Sequence, residues 1–296
     1  MLTPSLKTWL DGGQFIQVFG HKIFTHVSGP ADGPTLLILH GFPTSSHDFS
    51  LVLKTLSTRY RVICFDHVGF GLSEKPTDYS YSLFEQADIA LGVWRHFGVE
   101  RAHLLAHDYS TSVTTELLAR RARGMLPLDL TSVTLCNGSV YIHLADLTIL
   151  QRITRHPAAA PLVTLLFNEK VFNAQIRRIL AEPHSLDGEV LGSMWAAVEH
   201  NDGGRVITKI QEYLDERARF LGRWSDALKA TELPTHVLWA RADPVSVPAI
   251  AEAVAADLPN SKLTWLEGLG HYPMVEGPTA WVDAALGFIN DVEDAD

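Results

Sequence analysis

The chain has 296 residues, 46% hydrophobic and 20% charged, enough apolar material for a sizeable core, which excludes disorder as the default state. With 34 acidic against 24 basic side chains, the formal net charge of −10 excludes nucleic acid and anionic membranes as expected partners, since both reward clustered Lys and Arg. The opening stretch MLTPSLKTWLDGGQF carries no apolar signal core, and no segment approaches the roughly 18 apolar residues that span a bilayer, so a cytoplasmic protein, monomer or homodimer, is expected.

In chain order, QFIQVFG and HKIFTHVSG resemble an opening hairpin. TLLILHG, YRVICFD, AHLLAHD, TSVTLCN, THVLWAR and KLTWLEG then follow as short runs rich in apolar and β-branched residues, several of them apolar enough to be buried on both faces. The only two cysteines, Cys64 and Cys136, fall inside these runs and read as buried thiols in a reducing cytoplasm rather than as a disulfide. Helix-like stretches alternate with the strands, among them SLFEQADIALGVWRHFG and TSVTTELLARRAR. The last, TAWVDAALGFIN, sets Trp281, Ala284, Ala285 and Phe288 on one stripe.

One interval breaks the alternation. Between Asn137 and about Thr231 no strong strand occurs, and several helices are separated by HPAAAP, EPHSLDG and NDGG. The expected architecture is therefore α/β: a mostly parallel eight-stranded sheet flanked by helices, with a helical cap inserted after the sixth strand. Residues 1–137 would form the first part of the core, 138–231 the cap, and 232–296 the second part of the core. The cap would close over the carboxyl ends of the strands, where open α/β sheets hold their ligands.

LLAHDYSTS closes the fifth strand in the manner of a strand–nucleophile–helix turn, which needs small residues two places before and two places after the reactive one. With Asp108 as nucleophile those places hold Ala106 and Ser110; with Ser110 as nucleophile they hold Asp108 and Ser112, and a carboxylate would occupy a crowded seat. Steric logic favours Asp108 and disfavours a serine esterase, the plainer alternative being that Asp108 only caps the following helix. In LHGFPTSS the backbone N–H of Phe42 can face the site, with Tyr109 N–H as a second oxyanion donor and Pro43 locking the turn. FDHVGFGLSEKP after the fourth strand is a further match, unless its glycines only shape a loop. Asp243 in WARADPVS follows the seventh strand and His271 in EGLGHYPMVEGP the eighth, completing the order nucleophile, acid, histidine. Their plain alternatives are a turn before Pro244 and a structural histidine among 14.

On these residues the chain resembles the α/β-hydrolase superfamily, in the aspartate-nucleophile branch that holds epoxide hydrolases and haloalkane dehalogenases. HGFPTSS, FEQA, LLAHDY, ELL, MWA, NDGG, DPV, HYP and GFIN are similar in particular to the mesoderm-specific transcript proteins and their bacterial relatives, over about residues 40–290. A carboxylate is anionic near neutral pH and suits displacement at a saturated carbon, giving an alkyl–enzyme ester that His271, oriented by Asp243, would help water to hydrolyse.

The resemblance implies epoxide hydrolysis to a diol first, since Phe42 is frequent in epoxide hydrolases. Tyr213 is similar to one of their two lid tyrosines, whereas no tyrosine occurs from 142 to 212, leaving Tyr141 at the cap boundary as the other candidate acid. Dehalogenases commonly follow the nucleophile with a halide-binding tryptophan, where this chain has Tyr109; Trp195 or Trp224 would have to substitute. A small apolar substrate and water are the expected partners, in a pocket lined by His40, Pro43, Tyr141 and Trp195, with Phe167 and Phe172 as further candidates. No HExxH or paired-cysteine motif and no nucleotide-binding fingerprint occurs, so neither metal nor cofactor is expected. The alternative from another class is a non-catalytic module that binds a small ligand.

Overall fold

The computed structural model describes residues 1–147, 149–154 and 160–295. Eight strands, β1 (Gln14–Val18), β2 (His21–Ser28), β3 (Thr35–Leu39), β4 (Arg61–Phe65), β5 (Arg101–His107), β6 (Asp129–Cys136), β7 (Thr235–Ala240) and β8 (Ser261–Leu266), make one sheet. Their order is β1-β2-β4-β3-β5-β6-β7-β8. The β1–β2 hairpin and the β2–β4 pair are antiparallel, and every pair from β4 onward is parallel.

Period-two alternation sends Leu37, Ile63 and Leu104 to the core on one face and Leu36, Ile38, Cys64 and Leu105 to the core on the other. Helices on both faces explain why β3 and β7 are apolar along almost their whole length. The helix Pro278–Glu293 packs Trp281, Ala285 and Phe288 into the second core, with Ala284 against it. Both cysteines are buried and free.

One element goes beyond the sequence reading. A helix, Pro4–Gly12, precedes β1, and it buries Leu6 and Trp9. Its signals were local: Thr3 caps it by accepting from the Leu6 N–H, and Pro4 stands in the first turn, where its missing N–H costs nothing.

Between β6 and β7 the described chain is helical, without a strand. Asn168 caps the helix Glu169–Ile179 through Lys170 and Val171 N–H, and Asp187 caps Gly188–Glu199 through Val190 N–H. The helix Leu221–Ala230 lies along the core helix Tyr109–Arg121, with Arg223 and Trp224 donating to the Glu116 carboxylate. The other side of this segment is tied to the loop after β4 by Lys75. Its ammonium donates to the carbonyls of Gly71 at 2.7 Å, Ala197 at 2.9 Å and His200 at 2.5 Å. Among the described residues no helix is long and apolar enough to cross a membrane.

Candidate active site

β5 ends at His107 and a helix begins at Tyr109, so the whole change of direction falls on Asp108, at φ 45° and ψ −108°. A non-glycine residue in this region is strained and persists only where its surroundings over-determine it. They do so here. Asp108 N–H donates to the Cys136 carbonyl at 2.9 Å, and its own carbonyl accepts from Thr111 N–H at 3.1 Å and Thr111 Oγ1 at 2.7 Å. Gly138 presses against the same residue: a Cβ there would stand 2.2 Å from Asp108 O and 2.4 Å from its Cα. Gly138→Ala is therefore expected to displace the bend and to lower turnover about 100-fold, checked by steady-state kinetics alongside a melting curve.

The side chain of Asp108 makes no capping bond to its helix, which removes the plainer reading of this residue. Instead the two oxygens divide. Oδ2 accepts from Phe42 N–H at 3.0 Å, whereas Oδ1 faces His271 Nε2 at 3.8 Å. The Phe42–Pro43 peptide is cis. Tyr109 opens the helix, so its N–H belongs to the first turn, whose donors have no acceptor within the helix.

His271 Nδ1 and Asp243 Oδ2 are 2.7 Å apart. Asp243 is pinned in turn by Asn137 Nδ2 on Oδ2 at 2.7 Å and by the Val245 and Ser246 N–H groups on Oδ1 at 2.8 and 2.9 Å. Burial opposes the charge on Asp243, but the His271 charge and these hydrogen bonds override it and hold the carboxyl below its ordinary range. Burial also opposes a charged His271; the charge and hydrogen bond of Asp243, with Asp108 behind them, carry it up to about 9. Its folded value thus lies above the ordinary 6.5. The stability it contributes is full below about pH 6.5 and is lost as pH rises through about 9. Unfolding titrations should show a fall on the order of 1–3 kcal/mol across that window, absent in His271→Gln.

Ser110 is fully buried away from this constellation. Its hydroxyl donates to the His40 carbonyl and pairs with His67 Nε2 at 2.8 Å, filling the small seat beside the bend.

A cavity opens over Asp108 and His271, walled by Phe42, Phe167, Phe172, Ile176, Ile179 and Ile207, with the carboxamides of Gln151, Gln175 and Gln211 among them. It leaves about 80 Å³ open to the centre of a water-sized sphere, several times what one water requires, so a small organic molecule fits. Pro43, Phe167 and Phe172 line it as expected from the sequence.

Three expected lining residues do not. His40 is fully buried, with Nδ1 on the Gly41 carbonyl and Nε2 accepting from His67 N–H, so it braces the turn that carries Phe42. Trp195 stands behind the wall, its ring 5.6 Å from those of both Phe167 and Phe172. Tyr141 turns to the core helix Pro248–Asp257 and donates to the Asp257 carboxylate, which removes it as an acid at the cavity. Trp224, bonded to Glu116, is also spent elsewhere.

Tyr213 is buried against Phe42 and Tyr109, at ring distances of 5.8 and 5.0 Å, and its hydroxyl pairs with the side chain of Gln151 at the cavity wall. Burial, and then the nearby Asp108 charge, push its pKa up, so it keeps its proton. Among the described residues no cluster of three or more His, Cys, Asp or Glu is placed to hold a metal.

Sequence reasoning missed Asn137 and the three glutamines. Asn137 ends the sixth strand-like run and takes up a positive φ of 45°, a conformation that asparagine adopts more readily than most residues. The glutamines carry no motif.

A model described as the alpha/beta hydrolase fold matches residues 34–278 of the chain. The protein named putative hydrolase LipZ of Mycobacterium tuberculosis is 39% identical over 98% of this chain and 100% of its own length. The human mesoderm-specific transcript homolog protein is 36% identical over 98% of this chain and 89% of its own length. The haloalkane dehalogenase DbeA-M1 loop variant of Bradyrhizobium elkanii superposes with a TM-score of 0.81 at 22% identity, covering 96% of this chain and 98% of that one, a likeness of fold.

Proposed function

Because this chain belongs to the alpha/beta hydrolase fold family, we propose that it hydrolyses epoxides to diols through a covalent ester on Asp108. The observation that carries this reading is the division of the Asp108 carboxylate, one oxygen on the Phe42 N–H and the other facing His271 at the floor of an apolar cavity.

Asp108 Oδ1 attacks a ring carbon, a C–O bond of the epoxide breaks, and the departing ring oxygen takes a proton. Tyr213 is our candidate for that proton, as a buried hydroxyl joined to the cavity wall through Gln151. Esterification removes the negative charge of Asp108, one of the influences that keep His271 protonated, so His271 gives up its proton, which replaces the one lost by Tyr213, and the neutral imidazole is free to act as a base. His271 then takes a proton from water as its oxygen adds to the ester carbonyl. The oxyanion forms on Oδ2, where Phe42 N–H already donates and Tyr109 N–H is assigned as the second donor. Collapse breaks the bond to the alkyl oxygen, which takes the hydroxyl proton of the intermediate, so the diol leaves, the carboxylate is restored and His271 is again protonated.

Epoxide is taken ahead of alkyl halide because Tyr109, rather than a halide-binding tryptophan, follows Asp108, and a buried tyrosine hydroxyl, that of Tyr213, reaches the cavity wall through Gln151. The test is a panel of styrene-oxide-like epoxides, haloalkanes and p-nitrophenyl esters, with Asp108→Ala as blank. Diol formation is the expected result. Halide release or ester cleavage alone would replace the epoxide, and saturable thermal stabilisation without any product would make the protein a binding module.

A further inference from the structure

His271 stands in the stretch between β8 and a short helix, Pro273–Glu276. The main chain there is docked against the end of the helix Glu169–Ile179, whose Phe172, Ile176 and Ile179 wall the cavity. His271 N–H donates to the Ile179 carbonyl at 2.9 Å. Gly270 is flush with the same end: a Cβ there would stand 2.3 Å from Ala181 N and 2.7 Å from Leu180 C. One side chain closes the junction. Glu276 Oε2 accepts from Ala181 N–H at 2.8 Å and from Gly270 N–H at 3.0 Å, and Oε1 accepts from Tyr272 N–H at 3.0 Å. Both neighbours of His271, and the chain that leaves the cavity-wall helix, thus hang on one partly buried carboxyl group.

We propose that Glu276 is a positioning residue for the water-activating step: it holds the residues on either side of His271 against the end of the cavity-wall helix, and so sets where the imidazole stands. This rests on the reading above, in which His271 activates water at the Asp108 ester. Asp243 holds only Nδ1, a contact about which the ring can still tilt. Nε2 has to meet a water beside Asp108, whose Oδ1 is 3.8 Å away, so the base needs its main chain fixed as well as its far nitrogen. A displacement of about 1 Å at such a group costs about 100-fold in rate. His107 steadies the carbonyl side of His271, its Nε2 donating to that oxygen at 2.8 Å, which leaves the N–H side of the loop to Ile179 and Glu276.

The experiment times ester formation and ester hydrolysis separately, by quenched single turnovers and intact mass, on an epoxide that the wild type consumes. Glu276→Ala removes all three acceptor contacts. It should form the ester within about twofold of the wild-type rate and hydrolyse it about 100-fold more slowly. Glu276→Gln keeps an oxygen for Ala181 and Gly270, and should leave hydrolysis only about three- to tenfold slow. The proton on His271 Nδ1, shared with Asp243, is followed in parallel by NMR and assigned by its loss in His271→Gln. It should exchange with water about tenfold faster in Glu276→Ala, whereas the buried indole proton of Trp224, donated to Glu116, should exchange as in the wild type.

Wild-type hydrolysis in a folded Glu276→Ala overturns the proposal, and so does equal slowing of both steps, the mark of general loosening. Should Glu276→Ala fail to fold, Glu276→Gln decides: hydrolysis slowed alone supports the proposal, and a wild-type rate overturns it. If the wild type consumes no epoxide, the reaction falls and the NMR comparison still decides the positioning. Faster exchange at His271 with Trp224 unchanged supports it, and unchanged exchange at His271 overturns it.

Discussion

Asp108→Ala should lose about four to six orders of magnitude in epoxide turnover while the fold persists, because the variant removes the atom that bonds to substrate rather than a group that assists it. The change also relieves backbone strain less than glycine would, since alanine at φ 45° remains unfavourable. Stability should therefore change little compared with activity. The check pairs initial rates on the active epoxide with a melting curve. A variant that keeps more than about 1% of the wild-type rate would mean that another group attacks. Ser110 is poorly placed to be that group, with its hydroxyl engaged by the His40 carbonyl and His67.

The second large effect separates the two halves of the reaction. His271→Gln leaves Asp108 and its Phe42 N–H donor in place, so the first attack should still occur. What it removes is the base for water, a contribution of about 10²–10⁴-fold in general acid–base catalysis. The expected record is a burst of about one equivalent of substrate consumed per protein, then near arrest. Intact-mass measurement should show the chain heavier by one substrate. Loss of the burst together with turnover would assign His271 to the first step instead.

How far these features were legible differs from residue to residue. The bend at Asp108 could be placed from sequence because strand and helix converge there and the positions two before and two after it, Ala106 and Ser110, are small. The inner strands were legible because burial on two faces requires long apolar runs, and β3 and β7 are such runs. The cavity wall was harder. Which face of a cap helix looks inward depends on contacts made across the fold, so Trp195 was assigned one layer too close and Tyr141 was not matched with Asp257, which is 116 residues away. Glutamine offers no periodic or motif signal, so Gln151, Gln175 and Gln211 could not be placed on the wall from sequence. The helix Leu221–Ala230 reads from its pattern as one more cap helix, and the Glu116 contacts of Arg223 and Trp224 that fix it on the helix Tyr109–Arg121 span more than 100 residues and leave no local signal.

The ester on Asp108 is tested most directly by a single turnover in ¹⁸O-water followed by mass spectrometry of the proteolysed chain. Water entering at the Asp108 carbonyl should leave one heavy oxygen in the peptide that contains this residue, and a diol that carries the original oxygens of the carboxylate and the epoxide. Heavy oxygen found only in the diol, with an unlabelled Asp108 peptide after demonstrated turnover, would contradict the covalent route.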